Sequence, residues 1–486
     1  MQSNTLTKNS SLTMRLFLLI VFSSMLVSSI YSFEQPKKKN SIGWKNLPQI
    51  LRNIKKPVFP KKDILLSANI LAEKTSDCRA IIQESIDKCS ATGGGRVIIP
   101  KGEYLVKGPI NLKNNVNLHL EDGVLIKFST NPDDYLPVVR TRWEGIECYN
   151  YSALIYAYDQ KNIAVTGKGT FDGQADNDNW WNWKGNKNFG WSKNSPSQSD
   201  SLGRPLLVKM NKEQTPVEKR IFGKGHYLRP NFIQIYKCKN VLIDGVTFLN
   251  SPMWVIHPLL SQNITIQNVS TIGSGPNTDG CDPESCKDVL IKNCFFKNGD
   301  DNIAIKSGRN NDGRRINVPS ENIVIQNCKM KDGHGGVTVG SEISGGCRNV
   351  FAENCEMDSP NLDRAIRLKA NTFRGGLIEN IFVRNIKVGE VGDAVIHFDM
   401  KYEPQEGKDG GFLPVWRNID IRNVSSSKSK YAMFLIGLEN SPIKNLVVEN
   451  CKFDNAAGKS IIENVENPVM KNLFINGKPY EKGVNQ

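Results

Sequence analysis

Four short motifs carry side chains that can perform acid–base chemistry on an acidic substrate. In chain order they are NTDG at 277–280, GDD at 299–301, GHGG at 333–336 and RLK at 367–369. Cleavage of a glycosidic bond needs one protonated carboxyl group for the leaving oxygen and one carboxylate to activate water. Arginine with a nearby lysine binds a substrate carboxylate. Together the motifs predict hydrolysis of an acidic polymer, provided that the fold brings them together.

Each motif alone has an ordinary structural explanation. NTDG and GDD are common turn sequences, in which Asp and Asn side chains satisfy backbone groups. Clustered Asp oxygens also suit a calcium ion. A catalytic site is therefore favoured only if all four motifs share one face of the fold, and that depends on a repeat elsewhere in the chain.

The repeat begins with a polar residue, usually Asn. Alternating aliphatic residues follow, then Asn or Gly, then Cys or another apolar residue, as in NVLIDGVTF from Asn240 and NIVIQNCKM from Asn322. The copies start at Asn162, Asn240, Asn263, Asp288, Asn322, Asn349, Asn380, Asn418, Asn445 and Asn472. Period-two alternation predicts strands, and the Asn or Gly after it predicts a bend. Recurring strands without helix-length amphipathic segments between them predict an all-β chain, a right-handed parallel β-helix or solenoid.

This repeat predicts that the four motifs face one another. Asp279, Asp300 and His334 occupy similar phases of consecutive coils, and so do the basic residues of RLK. Stacked coils are about 4.8 Å apart, so these side chains form a column. One coil step plus a lateral offset predicts about 6.5–9.5 Å between Asp279 and Asp300, as in inverting glycosidases. Neighbouring strand residues point to opposite faces, so Asp301 needs a bend to join Asp300 in the site.

The N-terminal segment carries an export signal. An apolar run from Leu16 to Ile30 follows Lys8 and Arg15 and predicts a signal peptide over residues 1–32. We therefore expect a protein exported to the periplasm or the extracellular space, without stable membrane insertion.

The remaining boundaries follow from composition and pattern. A basic, Pro-containing stretch at 33–62 predicts a solvated linker or N-terminal extension, and the β-helix is expected over 63–486. The long gap between two copies of the repeat predicts an insertion at about 174–230. An amphipathic helix that starts near Asp77 and ends at GGG 93–95 is expected to cap the first coil.

The net charge of the chain bears on its binding partner, and its cysteine content bears on disulfide formation. There are 63 Lys and Arg against 49 Asp and Glu, a net charge of +14, which favours a polyanionic partner. No Lys/Arg-rich helix or aromatic RNA-binding motif is present, so we expect no nucleic acid partner, whereas an anionic membrane surface and an acidic polysaccharide both stay open at this point. Eleven cysteines cannot all pair within one chain. Several fit buried apolar positions of the repeat, and Cys78–Cys89 and Cys281–Cys286 are candidate local disulfides.

In this order on a β-helix, the four motifs resemble glycoside hydrolase family 28, the polygalacturonases. The resemblance runs from about residue 63 to the C-terminus, and text such as SPMWVIHP and AIKSGR is similar to the bacterial, exo-acting branch. It implies an inverting hydrolase of α-1,4-galacturonosidic bonds in polygalacturonate or pectin. Protons and water come from side chains and solvent, so no cofactor and no metal ion is required.

The resemblance also implies roles for single residues. Asp300 is the general acid, and Asp279 with Asp301 activates the water. His334 orients this set of carboxylates. The residues expected to bind substrate are Arg367, Lys369, Tyr402, His257 and Asn277. Spacing alone identifies Tyr402, and a histidine in the context of His257 is more often packed inside the protein. The Trp-rich segment at 180–191 is expected to wall off one end of the groove.

Other functions stay open at this point. A calcium-dependent pectate lyase is also often a β-helix, but the histidine of GHGG has no evident task in elimination. Hydrolysis of rhamnogalacturonan or xylogalacturonan would depend on loops that the sequence does not describe. A non-catalytic, polysaccharide-binding solenoid would bind polygalacturonate without creating new chain ends.

Overall fold

The computed structural model describes residues 42–67, 77–403 and 409–480. Over these ranges the chain forms the predicted right-handed parallel β-helix. One side is a long sheet of 23 strands, here called the large sheet. Its strands are Asp63–Leu65, Gly95–Ile99, Gly102–Val106, Val116–Leu120, Val124–Phe128, Lys161–Gly167, Thr170–Asp172, Lys239–Asp244, Thr247–Leu249, Gln262–Gln267, Ser270–Ile272, Lys287–Lys292, Phe295–Lys297, Ser320–Gln326, Lys329–Lys331, Cys347–Glu353, Glu356–Met357, Leu377–Glu390, Val415–Lys428, Ile443–Phe453, Val465–Glu466, Val469–Ile475 and Lys478–Pro479.

The opposite side, here called the short-strand sheet, has a four-stranded and a six-stranded part. The four strands are Ile110–Asn111, Ile155–Tyr158, Ile233–Tyr236 and Ile256–Leu259. The six are Ile303–Ile305, Val337–Val339, Arg364–Lys369, Ala394–Asp399, Tyr431–Ile436 and Ile461–Glu463. Single parallel bridges through Cys281 and Glu284 join the two parts into one continuous surface.

The first residue of the repeat forms a ladder of amides along the large sheet. The side chain of Asn240 donates to the Asn162 oxygen at 2.8 Å, and Asn263 donates to Asn240 at 2.7 Å. The same bond joins Asn349 to Asn322, Asn380 to Asn349, Asn418 to Asn380 and Asn445 to Asn418. These residues have positive φ, +60° at Asn240, which Asn tolerates better than most residues. One residue type therefore makes the bend and holds neighbouring coils together.

Inside the coils, aliphatic residues and cysteines form the stacked core. All eleven cysteines fall in the described ranges, and all are buried and free of disulfide bonds. The disulfides suggested for Cys78–Cys89 and Cys281–Cys286 are therefore wrong, and these four residues belong to the hydrophobic core instead. They behave as small buried hydrophobes.

The predicted helical cap is confirmed as the helix Arg79–Ala91. The Asp77 carboxylate accepts a hydrogen bond from the Arg79 backbone N–H at 2.9 Å, which satisfies one free donor of the first turn. Ile82, Ile86 and Cys89 face the first coils and are fully buried. The helix thus covers the apolar end of the solenoid.

Part of the stretch predicted as a solvated linker is folded. A 3₁₀ turn, Trp44–Asn46, leads into the helix Leu47–Asn53. The Trp44 ring lies 5.5 Å from the Phe351 ring, and the Arg384 guanidinium lies 3.9 Å above it. The prediction is wrong here because outward-facing aromatic residues of the large sheet offer this segment an apolar surface. The predicted signal peptide, residues 1–32, lies outside the described residues, and no helix in the described ranges is long and apolar enough to span a membrane.

The early strands of the short-strand sheet are covered from outside. An antiparallel hairpin, Val139–Trp143 with Ile146–Asn150, lies there together with the segment predicted as an insertion. That segment contains the 3₁₀ turns Trp181–Lys184, Lys187–Phe189 and Val217–Lys219 and the helix Arg204–Lys212. A separate hydrophobic cluster that includes Trp143, Leu207 and Trp254 packs this cover onto the sheet. The other 3₁₀ turn is Pro132–Tyr135, and the helix Asn310–Ile316 follows the GDD coil.

Candidate active site

The four motifs meet on successive coils at the surface of the short-strand sheet. The backbone oxygen of Asp279 accepts from Val255 at 2.8 Å, and that of Asp301 accepts from Gly280 at 2.9 Å, so the two acids occupy matching positions of adjacent coils. A bend at Asp300 brings both acids of GDD to the same side, as the sequence requires. The prediction of a shared face is therefore met for all four motifs.

Glycines of the motifs allow the coils to approach closely. A Cβ on Gly335 would lie 2.6 Å from the Asp301 carboxylate oxygen, and a Cβ on Gly299 would overlap the Gly275 backbone oxygen. Any larger residue at these positions would push the coils apart or displace Asp301. This accounts for the glycines in GHGG and GDD.

Asp301 is the most tightly held of the three acids. One of its carboxylate oxygens accepts from Arg367 at 3.1 Å and from Thr338 at 3.0 Å, and the other accepts from Lys369 at 2.7 Å. Burial alone would raise the pKa of Asp301, but the cations Lys369 and Arg367 outweigh it and hold this pKa well below its usual range. Asp301 is therefore ionised.

Asp300 pairs with His334, whose Nδ1 lies 3.0 Å from an Asp300 carboxylate oxygen. This carboxylate raises the pKa of His334 to about 9, so the imidazole is charged at neutral pH. Burial raises the pKa of Asp300, but the charge and the hydrogen bond of His334 lower it by more, so the net shift of this pKa is downward. The substrate-free site thus keeps Asp300 ionised as well.

Asp279 has the opposite character. Its side chain is buried, and burial together with the charges of Asp300 and Asp301 raises its pKa to about 7. Beneath it lies Asp282, which is fully buried and whose pKa is raised well above its usual value by burial and by Asp279. Lys306 Nζ lies 3.4 Å from a carboxylate oxygen of each. Asp279 and Asp282 are therefore the acids of the substrate-free site that hold a proton most readily.

The three motif acids converge more closely than the sequence suggests. One carboxylate oxygen from each of Asp279, Asp300 and Asp301 lies within 4.8 Å of one from each of the others. The predicted gap of about 6.5–9.5 Å is wrong for these oxygens, because the bend at Asp300 turns its side chain toward the neighbouring coil. Stereochemistry does not follow from this spacing.

The same three oxygens are the described group that could hold a metal ion. Both oxygens of Asp301 already accept hydrogen bonds from cationic side chains, and Lys306 lies beside Asp279. A divalent cation would meet three fixed positive charges there. The cluster fits a bound water molecule better than a calcium ion.

Two of these acids, Asp279 and Asp300, line a pocket of about 360 Å³, and Asp301 is fully buried beside them. The lining residues of this pocket are Glu144, Lys184, Gln198, Ser199, Arg204, Trp254, Asn277, Asp279, Asp300, Lys306, Arg309, His334, Ser341, Glu342, Lys369, Tyr402 and Glu403. At one end the pocket is closed by the insertion and the hairpin. There the Arg204 guanidinium donates to Glu144 at 2.6 Å, and Arg309 lies 3.3 Å from the same oxygen.

Sequence reasoning missed Lys306, the buried cation of the pocket. Its Nζ lies 3.3 Å from Glu342 and 4.6 Å above the Trp254 ring. A signal was present, because Lys306 follows a strand whose last residue, Ile305, pairs with Val339 of the next coil. Extending the phase argument from the motifs to every outward-facing residue would have found it.

Two predicted substrate-binding residues line the pocket. The amide oxygen of Asn277 accepts from Lys184 and from buried Arg229, each at 2.8 Å. The Tyr402 ring is within 5.2 Å of Lys369 Nζ and 5.4 Å of the Arg367 guanidinium carbon. Both residues are therefore in reach of a bound ligand, together with the cations of RLK.

His257 is the exception, and its predicted contact with substrate is contradicted. The side chain is fully buried, with Nε2 2.9 Å from Glu284 and Nδ1 2.8 Å from Asn231. Its phase on the coil is that of the site, but the hairpin and the insertion cover this part of the sheet. The tryptophans of the insertion are also structural, since Trp180 and Trp181 are buried in the wall rather than in the pocket lining.

Comparisons with known proteins agree with the fold and the motifs. Residues 219–471 match the family described as glycosyl hydrolases family 28. A hyperthermoactive exopolygalacturonase from Thermotoga maritima is 43% identical, with a TM-score of 0.84 over 90% of this chain and 97% of that chain. A probable polygalacturonase of Vitis vinifera is 26% identical over 388 residues, 76% of this chain and 69% of that protein. An exo-poly-alpha-D-galacturonosidase of Dickeya chrysanthemi is 26% identical over 353 residues, 67% of this chain and 55% of that protein.

Proposed function

The chain belongs to glycosyl hydrolase family 28, and we propose that it hydrolyses α-1,4-galacturonosidic bonds of polygalacturonate, one sugar at a time from a chain end. The observation that carries this proposal is a pocket, closed at one end, that is lined by Asp279, Asp300 and Lys369 next to the third converging carboxyl group, that of Asp301. A closed end accommodates a chain terminus and excludes the middle of a polymer. The exopolygalacturonase and exo-galacturonosidase relatives support the same mode of action.

The two cations of RLK give the substrate its position. Arg367 and Lys369 are both buried at the pocket floor and bind a galacturonate carboxylate beside the scissile bond. The Tyr402 ring lies next to both cations and supplies a face for the same sugar. Neutral polysaccharides lack the charge that these cations need, which makes a uronate polymer the preferred substrate class.

The three acids have different roles in the proposed reaction. Asp300 donates a proton to the leaving oxygen, while Asp279 and Asp301 hold the water and accept its proton as it attacks the anomeric carbon. The attack breaks the bond to the leaving sugar, which takes the proton from Asp300 and departs as an alcohol. His334 is charged and hydrogen-bonded to Asp300, and it orients that carboxyl group.

Substrate binding is what brings the proton to Asp300. In the free site Asp279 holds the proton, whereas the proposed acid is ionised. A substrate carboxylate on Arg367 and Lys369 adds a negative charge next to the GDD acids and partly neutralises their cations, so their pKa values rise. One proton shared by the three carboxyl groups then moves through the bound water to Asp300.

Inversion and export complete the proposal. The resemblance supports inversion, in which water attacks from the face opposite to the leaving sugar. The basic, apolar N-terminal segment supports export to a compartment where plant polysaccharide is available.

The test is a product analysis on polygalacturonate in excess chelator, with detection of new reducing ends and of ultraviolet absorbance. The wild-type protein is expected to release saturated products, and Asp300→Asn to abolish nearly all release. Unsaturated products or loss of activity in chelator would instead indicate a lyase. Saturable binding without new chain ends would indicate a non-catalytic solenoid.

A further inference from the structure

The hairpin and the insertion cover the early strands of the short-strand sheet, and beyond RLK the sheet continues with the strands of later coils. The strands Ala394–Asp399 and Tyr431–Ile436 follow Arg364–Lys369 in register. Arg367 pairs with His397, which pairs with Phe434, so the three side chains form one outward-facing ladder. At about 4.8 Å per coil, this ladder leads away from the pocket over two further coils.

The ladder ends in an aromatic surface. The rings of His397 and Phe434 are stacked, with centroids 4.6 Å apart and planes 5° from parallel. The Tyr431 ring lies 6.1 Å from that of Phe434, and both rings are half-buried. Burial, Arg364 and Arg367 lower the pKa of His397 to about 3, so its ring is neutral. His397, Phe434 and Tyr431 are here called the aromatic platform.

Outward positions of the large sheet on these coils have a different character. There Arg417 pairs with Glu379 at 2.7 Å, and Arg422 pairs with Glu449 at 2.5 Å. Charged pairs suit a strand surface that faces only water. Half-buried aromatic rings on the pocket side of the same coils are therefore a local feature rather than a property of the solenoid.

Positive charge flanks the platform. Lys430 is exposed, and its ammonium group lies 5.0 Å from the centroid of the Tyr431 ring. Lys401, which follows the strand Ala394–Asp399, is also exposed, and its ammonium group lies 3.3 Å from Glu463. An occupant with apolar faces and carboxylates at intervals matches this combination, because sugar C–H faces pack on aromatic rings and uronate carboxylates bind ammonium groups.

We propose that the aromatic platform binds the third and following galacturonate units of the substrate chain, as a subsite beyond the two sugars that flank the scissile bond. The inference rests on the proposed function. The pocket is closed on the side of the insertion, so a chain whose terminal sugar fills it extends toward the later coils. Its path crosses Arg367 and Lys369 first and His397 and Phe434 next.

The test compares chain lengths within one variant. For Phe434→Ala and, separately, Tyr431→Ala, kcat/KM is measured on di-, tri-, tetra- and pentagalacturonate. We expect the ratio of kcat/KM on the longer substrates to that on digalacturonate to fall about three- to tenfold, as loss of one aromatic contact predicts. Phe474→Ala, which removes a half-buried aromatic ring of the large sheet, is the matched control and should leave the ratio unchanged.

The possible outcomes distinguish a failure of the aromatic platform from a failure of the proposed function. Equal losses on all chain lengths, or no loss, would overturn the platform while leaving hydrolysis intact. Wild-type protein that hydrolyses no galacturonan would overturn the proposed function and the platform with it. Unfolding temperatures identify a variant that fails to fold, and the other substitution then carries the comparison.

Discussion

Two histidines at equivalent positions of the solenoid have opposite surroundings. His257 and His397 follow Ile256 and Ile396, which lie in one continuous ladder of the short-strand sheet. His257 is fully buried between Glu284 and Asn231, whereas His397, also buried at 6% exposure, stacks on the half-buried ring of Phe434. The coil position decides which face a residue occupies, and the cover above it decides whether a ligand can reach it.

The same contrast separates the two ends of the pocket. At the early coils the hairpin and the insertion supply Glu144, Lys184 and Arg204 as a wall. At the later coils, beyond Arg367 and Lys369, the described surface carries the half-buried rings of Tyr431 and Phe434. The proposed catalytic acids lie at the boundary between these two regions, and the proposed removal of sugars from a chain end depends on this asymmetry.

The largest loss of activity is expected for a substitution of Asp279, one of the acids between the two ends of the pocket. Asp279→Asn removes one acceptor for the attacking water and the group that holds the proton in the free site, and we expect activity to fall about 10²- to 10⁴-fold. Reducing-end release under saturating polygalacturonate measures it.

Asp282→Asn is the matched control for that variant. Both side chains are buried beside Lys306, but burial and the charge of Asp279 raise the pKa of Asp282 well above its usual value, which favours its neutral form, and Asp282 does not line the pocket. A far smaller loss is expected, and similar losses in the two variants would remove the distinction between them.

The pH dependence of kcat/KM tests whether the reaction needs the proton that Asp279 holds in the free site. Asp279 has a pKa of about 7 in the free site, and the reaction needs that proton. The value of kcat/KM should therefore fall about tenfold per pH unit above pH 7. A rise of kcat/KM through pH 7 would show that the proton must first leave, with Asp279 acting only as a base.

The next effect concerns the closed end. Arg204→Ala leaves Glu144 without its hydrogen bond and loosens the wall, and we expect kcat/KM on oligogalacturonates to fall about tenfold with some products longer than one sugar. Lys209→Ala, on the same helix but exposed, serves as the control. Identical product patterns for both variants would contradict the role of this wall.

The smallest effect on activity is expected at His257. His257→Ala removes the buried hydrogen bonds to Asn231, Gln234 and Glu284 and should lower the free energy of unfolding by about 1–3 kcal/mol, while KM changes less than about twofold. Thermal unfolding and steady-state kinetics measure the two quantities. A raised KM at an unchanged unfolding temperature would return His257 to the list of substrate-binding residues.

The repeat predicts most of the fold and the centre of the site. Alternation and phase are local properties, so they place Asp279, Asp300 and Asp301 on one face without knowledge of the rest of the chain. The distance between the acids was not predictable, because it depends on the bend at Asp300. The burial of His257 was equally hidden, since it results from long-range packing of a segment without periodicity.

Other features follow from contacts that no pattern encodes. The helix Leu47–Asn53 forms because Trp44 finds aromatic residues of distant coils. Lys306 lies in AIKSGR, and phase reasoning applied to that segment would have placed its side chain in the pocket. The position of a residue on its coil is therefore easier to predict from the sequence than its burial by segments that are distant in the chain.

The most direct test of the account is a time course on hexagalacturonate labelled at its reducing end and followed by chromatography. The closed end of the pocket predicts that the labelled species shorten by one sugar at a time, with monogalacturonate as the unlabelled product from the earliest points. Labelled fragments of many lengths at the first time points would contradict it, because internal bonds would then enter a pocket that the structure closes at one end.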